Sequence, residues 1–160
     1  MSAPPVPVEI QRLGETNLDE IVAIERRSYP TPWSRAMFAG ELAKPTSLCL
    51  GAFDAPAGHL VGYVIASRYV DAWHIMNVCV DPLFQGHGIA AALLERLLAL
   101  TDGDGRQGYT LEVRVSNERA IRLYERLGFV NRGIRRAYYT DNREDAIVMW
   151  LDEPDDSDAP

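Results

Sequence analysis

The residues in this chain best suited to chemistry begin with a glycine turn, Gln85-Gly86-His87-Gly88-Ile89-Ala90-Ala91, placed between a strand-like run and a helix-like one. Glycine lets backbone N–H groups come close to an anion, and the first turn of a helix favours negative charge, so the turn suits a phosphate. A strand-to-helix turn also uses glycine for geometry alone, so the turn by itself reads either way. Gly86-x-Gly88-x-x-Ala91 formally fits a dinucleotide fingerprint, with Glu112 about twenty residues further on. Three features oppose that reading. The turn follows three strands and two helices, only one strand-helix-strand unit surrounds it, and the chain is too short for both halves of a dinucleotide-binding sheet.

The remaining reactive side chains are sparse. His59, His74 and His87 lie far apart and show neither HExxH nor Cys/His spacing, so no metal site is expected. Cys49 and Cys79 form no CxxC pair and sit in apolar runs, which fits two buried, reduced thiols in a cytoplasmic protein. Cys79 is read as core, not as a nucleophile. A net charge of −7 argues against nucleic acid as a partner. No apolar run approaches the roughly 20 residues of a membrane span. Eight of the sixteen basic residues fall between Arg114 and Arg143, either as a solvated helix face or as a basic region near a polyphosphate.

The elements that must position these groups can be read from periodicity. With 160 residues the chain is long enough for one core. Residues 1–7 read as a disordered leader, 8–151 as a single domain and 152–160 as a disordered acidic tail. Val8–Leu13 alternates as a strand. Thr16 or Asn17 is the expected cap of a helix carrying Leu18, Ile21, Val22 and Ile24, which ends near Tyr29. Ser34 caps a short helix through Leu42. Ser47–Phe53, Leu60–Val70 and Trp73–Val80 read as strands, with a turn at Asp54–Gly58. Gly88–Leu100 is helical, and Asp102–Gly105 ends it. Tyr109–Val113 is a strand, and Asn117 caps a helix that stops at Gly128. Phe129–Ile134 and Ala146–Leu151 close the chain as strands. Consecutive strands imply antiparallel pairs, and the central strand-helix-strand unit implies a parallel one: an α/β mixed sheet with four helices.

Taken outward from the turn, Asn77-Val78-Cys79-Val80-Asp81-Pro82 and Gln85-x-x-Gly88-x-Ala90 resemble the acetyl-CoA motif of the GNAT N-acetyltransferases. Leu111-Glu112-Val113-Arg114-Val115-Ser116-Asn117 and Ala120-Ile121-Arg122-Leu123-Tyr124-Glu125-Arg126-Leu127-Gly128-Phe129 look like the second half of that family. Ile134-Arg135-Arg136-Ala137-Tyr138-Tyr139 and Arg143-Glu144-Asp145-Ala146-Ile147-Val148-Met149 are similar to the bacterial ribosomal-protein-alanine N-acetyltransferases. The resemblance runs in order from about Ile21 to Leu151. Two departures stand out: Ala90, where many members have glycine, and Gly86-His87, where members often carry a basic residue.

The resemblance implies a seven-stranded GNAT fold with the fourth and fifth strands splayed. Pantetheine of acetyl-CoA would pair with Val78, Cys79 and Val80. Its pyrophosphate would lie on Gly86, His87, Gly88, Ile89, Ala90 and Ala91, with Asn117 also touching the cofactor. Glu112 is implied as general base, acting directly or through a water; the bland alternative is a surface carboxylate paired with Arg114. Tyr124 is implied as the acid for the leaving thiolate, or is simply a core aromatic. The Val80 N–H is a candidate oxyanion donor. Trp33 and Tyr138 would grip the acceptor, or serve only as loop packing. The implied acceptor is a protein N-terminus, the N-terminal alanine of a small-subunit ribosomal protein. A small-molecule amine, a lysine side chain, or a non-catalytic acetyl-CoA-binding role are the other readings.

Overall fold

A computed structural model describes residues 6–102 and 108–152. Its strands form one seven-stranded sheet in the order β1-β2-β3-β4-β5-β7-β6. They are β1 (Val8–Arg12), β2 (Ser47–Asp54), β3 (Leu60–Tyr69), β4 (Ala72–Val80), β5 (Gly108–Arg114), β6 (Val130–Arg135) and β7 (Ala146–Leu151). The helices are α1 (Leu18–Ser28), α2 (Arg35–Ala43), α3 (Ile89–Leu100) and α4 (Glu118–Arg126). This is the mixed α/β fold expected from the residues, element by element. β4 and β5 pair in parallel through Ala72↔Gly108, Trp73↔Tyr109 and His74↔Thr110, at their starts only among the described residues. The other recorded pairings are antiparallel. The expected disordered leader and acidic tail, and Gly103 to Gly105 of the expected helix stop, lie outside the described residues, apart from Val6, Pro7 and Asp152.

The chain divides into two units. The first comprises Met1–Ser67 and Asn77–Asp102. Its α1 buries Leu18, Ile21, Val22 and Ile24, the helical stripe seen in the sequence. Asp19 and Glu20 in the first turn and Arg26 and Arg27 in the last match the helix dipole. That stripe meets Phe38, Tyr63, Ile65 and Cys79 in one core cluster. Phe38 stands edge-on to Tyr63 with centroids 5.7 Å apart. Each large side chain fully buried here contributes about 1.5–3 kcal/mol. Ser34 caps α2 by accepting the Met37 N–H at 3.2 Å, as its position predicts. Asn17 stands at the N-cap position of α1, as expected, but its side chain makes no capping hydrogen bond there. A 3₁₀ turn over Glu15–Asn17 precedes α1, and the Asn17 side chain accepts the Gly14 N–H at 2.9 Å instead of closing α1.

The second unit comprises Arg68–Met76 and Gly103–Pro160. Here β7 pairs with β5 from Tyr109↔Leu151 to Arg114↔Ala146 and with β6 from Val130↔Trp150 to Arg135↔Ala146. Tyr109, Leu111 and Val113 are buried while Thr110, Glu112 and Arg114 are only partly so, the two-residue alternation of a strand. Asn117 caps α4 through the Ala120 N–H at 3.2 Å. Gly128, at φ +104°, ends it. The Gly128 N–H reaches Glu125 O and the Phe129 N–H reaches Tyr124 O, each at 3.0 Å, the Schellman arrangement that makes glycine favourable at this position.

Candidate active site

The glycine turn belongs to the first unit and is built from the strand end upward. Asp81, buried after β4, holds Arg27 of α1 at 2.6 Å. It also accepts the Leu83 N–H at 3.1 Å, starting a 3₁₀ turn over Pro82–Phe84. The chain then turns through Gly86 at φ +85° and Gly88 at φ +79°, left-handed values that L side chains resist, and enters α3. Gly88 is the N-cap of α3 and offers no side-chain hydrogen bond. The first N–H groups of a helix lack intrahelical partners, so those opening α3 are left for an external acceptor. The implied phosphate residues Gly86, His87, Gly88, Ile89, Ala90 and Ala91 thus form one continuous turn and helix start. Ile89 is buried and anchors it. Ala90 keeps its N–H, so the departure from glycine there costs no donor.

Just past the end of β4 the Asp81 N–H donates to Val61 O of β3 at 2.8 Å. Strand alternation turns the peptide groups of Val78 and Val80 to the side that β3 does not use. There Tyr29 Oη donates to Val78 O at 2.6 Å and Gln85 Nε2 to Val80 O at 3.2 Å. Cys79 is buried and free of any disulfide, and burial raises its thiol pKa; Cys49 is likewise buried, its thiol pushed up to about 12. Both are the inert core thiols that the sequence suggests.

Glu25 stands outside every motif of the sequence. It is 1% exposed, and three donors converge on its carboxylate. Tyr63 Oη reaches Oε1 at 2.5 Å, Asn77 Nδ2 reaches Oε1 at 3.0 Å, and the Trp33 backbone N–H reaches Oε2 at 2.9 Å. The signal was present: Leu18, Ile21, Val22 and Glu25 fall at i, i+3, i+4 and i+7, which puts a charged residue on the apolar stripe. Trp33 itself packs on Phe38 at 5.1 Å and is partly buried against the core.

The second unit gathers the titratable groups. Glu112 on β5 lies with Oε2 2.7 Å from His74 Nε2 and Oε1 3.5 Å from Arg135 Nε. The His74 hydrogen bond holds its carboxyl below the usual range against the opposing effect of burial, with the charges of His74 and Arg135 adding to the lowering. The alternative partner, Arg114, is occupied elsewhere: it pairs with Asp141 at 2.9 Å and Glu144 at 3.3 Å and lies over the Tyr139 ring at 4.0 Å. No motif spacing marks His74, because 38 residues separate it from Glu112.

Tyr124 is buried, packs at a tilt against Phe129 with ring centroids 5.9 Å apart, and has its phenol pushed up to about 12 by burial and by Tyr139. It is therefore a protonated hydroxyl at neutral pH. Tyr138 is 45% exposed, edge-on to Tyr139 at 5.1 Å, and its phenol is raised by burial and by the nearby Glu112 charge. Of the basic residues between Arg114 and Arg143, Arg114, Arg122, Arg132, Arg135 and Arg136 are paired with carboxylates, and of these five only Arg122 lies on a helix. Among the described residues no three His, Cys, Asp or Glu gather as a metal would require, and no helix is long and apolar enough to cross a membrane.

Residues 18–129 match the model of the acetyltransferase (GNAT) family. The chain is 39% identical over 144 residues to the [ribosomal protein bS18]-alanine N-acetyltransferase of Escherichia coli strain K12, covering 89% of this chain and 95% of that protein. It is 35% identical over 163 residues to the N-alpha-acetyltransferase RimI of Mycobacterium tuberculosis, covering 98% of this chain and 100% of that one. The fold superposes with a TM-score of 0.84 on the crystal structure of the Escherichia coli ribosomal-protein-S18-alanine N-acetyltransferase, at 38% identity and over 91% and 94% of the two chains.

Proposed function

The chain belongs to the GNAT family of acetyltransferases, and from that premise we propose that it moves the acetyl group of acetyl-CoA onto the α-amino group of a protein N-terminus, the N-terminal alanine of a small-subunit ribosomal protein. Likeness over nearly the full length of two enzymes named for N-α-acetylation carries this reading. The domain spans residues 8–151 and works in the cytoplasm, where free Cys49 and Cys79 would stay reduced.

In this reading acetyl-CoA is the co-substrate. Its pyrophosphate is taken by the backbone of the turn from Gly86 to Ala91 at the start of α3, its pantetheine by the peptide groups of Val78 and Val80 on either side of Cys79, and Asn117 is a further cofactor contact. Glu112 receives the proton that the α-ammonium must lose. The freed nitrogen lone pair attacks the thioester carbonyl, the C–S bond breaks, and Tyr124 gives its phenolic proton to the departing sulfur and regains one from the medium. The Val80 N–H faces the oxygen that gains charge. Trp33 and Tyr138 border the acceptor. A protonated phenol suits Tyr124 as acid, and a carboxylate kept ionised suits Glu112 as acceptor.

The test is acetyl transfer to a short peptide beginning with alanine, set against polyamines and a peptide with a blocked N-terminus and an internal lysine. Transfer confined to the free N-terminus is expected. Turnover of the amines or the lysine alone would sink the N-terminal reading, and binding of acetyl-CoA without turnover of any amine would favour a non-catalytic role.

A further inference from the structure

The two members of the His74–Glu112 pair come from different strands. β4 and β5 run parallel with His74 opposite Thr110, and Glu112 stands two residues along β5 on the same face as Thr110. Nε2 and Oε2 are 2.7 Å apart, and both side chains are mostly covered, at 28% and 12% exposed. The other charged or titratable groups that face Glu112 are Arg135, Tyr138 and Tyr139, with Arg114 behind Tyr139. Of these groups an imidazole is the type with an ordinary pKa nearest neutrality.

We infer that His74 and Glu112 act as one base, in which His74 takes the ammonium proton and Glu112 holds the resulting imidazolium. This rests on the acetyl-transfer reading above and refines the role of Glu112 within it. With Glu112 ionised, the Nε2–H of His74 donates to Oε2, and Nδ1 is left with its lone pair. The substrate N–H bond breaks as an N–H bond forms at Nδ1, directly or across one water. The product is an imidazolium beside a carboxylate, and the proton returns to solvent after turnover.

The energetics favour this division of labour. An α-ammonium has a pKa of about 8, and a carboxyl held below its ordinary range is a far weaker base than the amine it would deprotonate. An imidazole nitrogen is by type a stronger base than a carboxylate and so a better first acceptor for that proton. The carboxylate is thus a weak resting place for the proton and a good counter-charge for a neighbour that carries it.

The experiment is the pH profile of kcat/KM for an N-terminal alanine peptide in the wild type, His74→Gln and Glu112→Gln, with acetyl-CoA affinity measured in each to show folding. The wild type should fall in acid with two ionisations, the amine's and the pair's. His74→Gln should lose one of them and drop about 100-fold at pH 7. His74→Asn is read the same way should the Gln variant fail to fold. Wild-type rate and profile in a folded His74 variant would overturn the pair, as would a His74 ring that keeps one protonation state by NMR from pH 5 to 9. Full rate in Glu112→Gln would instead overturn the assignment of Glu112 itself, and no transfer by the wild type would overturn the acceptor.

Discussion

The carboxylate of Glu25, on the buried face of α1, accepts the backbone N–H of Trp33 at 2.9 Å and so ties the α1–α2 connection to the helix before it. The same carboxylate takes Tyr63 from β3 and Asn77 from β4, and Tyr29 reaches Val78 O close by. One side chain therefore joins the loop proposed to border the acceptor to the strand proposed to pair with pantetheine.

Glu25→Gln cannot serve all three donors. If the amide oxygen faces Tyr63 and Asn77, its NH₂ opposes the Trp33 N–H; flipped, its NH₂ opposes the Asn77 amide and Tyr63 must turn from donor to acceptor. The variant should unfold about 2–5 kcal/mol more easily, the cost of breaking buried hydrogen bonds to a charged group. In the folded fraction the KM for peptide should rise more than the KM for acetyl-CoA. Chemical denaturation and steady-state kinetics measure the two effects, and an equal rise in both KM values would contradict the loop's part in acceptor binding.

Tyr124→Phe should lower kcat by about 10²–10⁴-fold if the phenol protonates the leaving sulfur. Its hydroxyl has no hydrogen-bond partner among the described residues, so stability should change by less than about 1 kcal/mol. With the phenol at about 12, no alkaline limb below pH 10 belongs to Tyr124. A variant with unchanged kcat and a lowered melting temperature would mark Tyr124 as a core aromatic.

Gly88→Ala places a side chain at φ +79°, where nothing lies within 4 Å of the new Cβ. The cost is therefore conformational, about 1–2 kcal/mol, and not steric. Relaxing toward φ < 0 would re-aim the open N–H groups of α3. The expected result is a raised KM for acetyl-CoA with the peptide KM and kcat little changed. Unchanged acetyl-CoA affinity by calorimetry would remove the turn from the cofactor site.

Glu144 accepts the Ser116 N–H at 2.7 Å and pairs with Arg114, which together hold its carboxyl at about 2. A depressed folded pKa gives stability that is complete above the usual value of 4.5 and fades as pH falls toward 2. Glu144→Gln should thus be less stable than the wild type by a constant margin above pH 5, and the margin should shrink through that window. A margin independent of pH down to 2 would show that the interaction does not require the charge.

Some of this is legible in the sequence. Apolar spacing in α1 and α3 reports burial directly, since a helix must turn its stripe to the core. Ser34, Asn117 and Gly128 were legible as helix ends because capping is settled within a few residues. Asn17 was legible as the N-cap position of α1, but not that its side chain would take the Gly14 N–H of the preceding 3₁₀ turn, a local donor that competes with the helix. Glu25 was visible as a charge on an apolar stripe, though not the three donors that make it tolerable there.

By itself the sequence determined the order and kind of the elements, the glycine turn that opens α3, and the covered state of Cys49 and Cys79, because each follows from patterns shorter than one element. Only the tertiary structure decided which charges meet. Glu112 and Arg114 sit two apart on β5, yet Glu112 pairs with His74 and Arg135 while Arg114 goes to Asp141 and Glu144. The reason is strand register. A strand's own alternation says which residues share a face, but the neighbour's offset decides what stands opposite them, and that offset is set by the packing of the whole sheet.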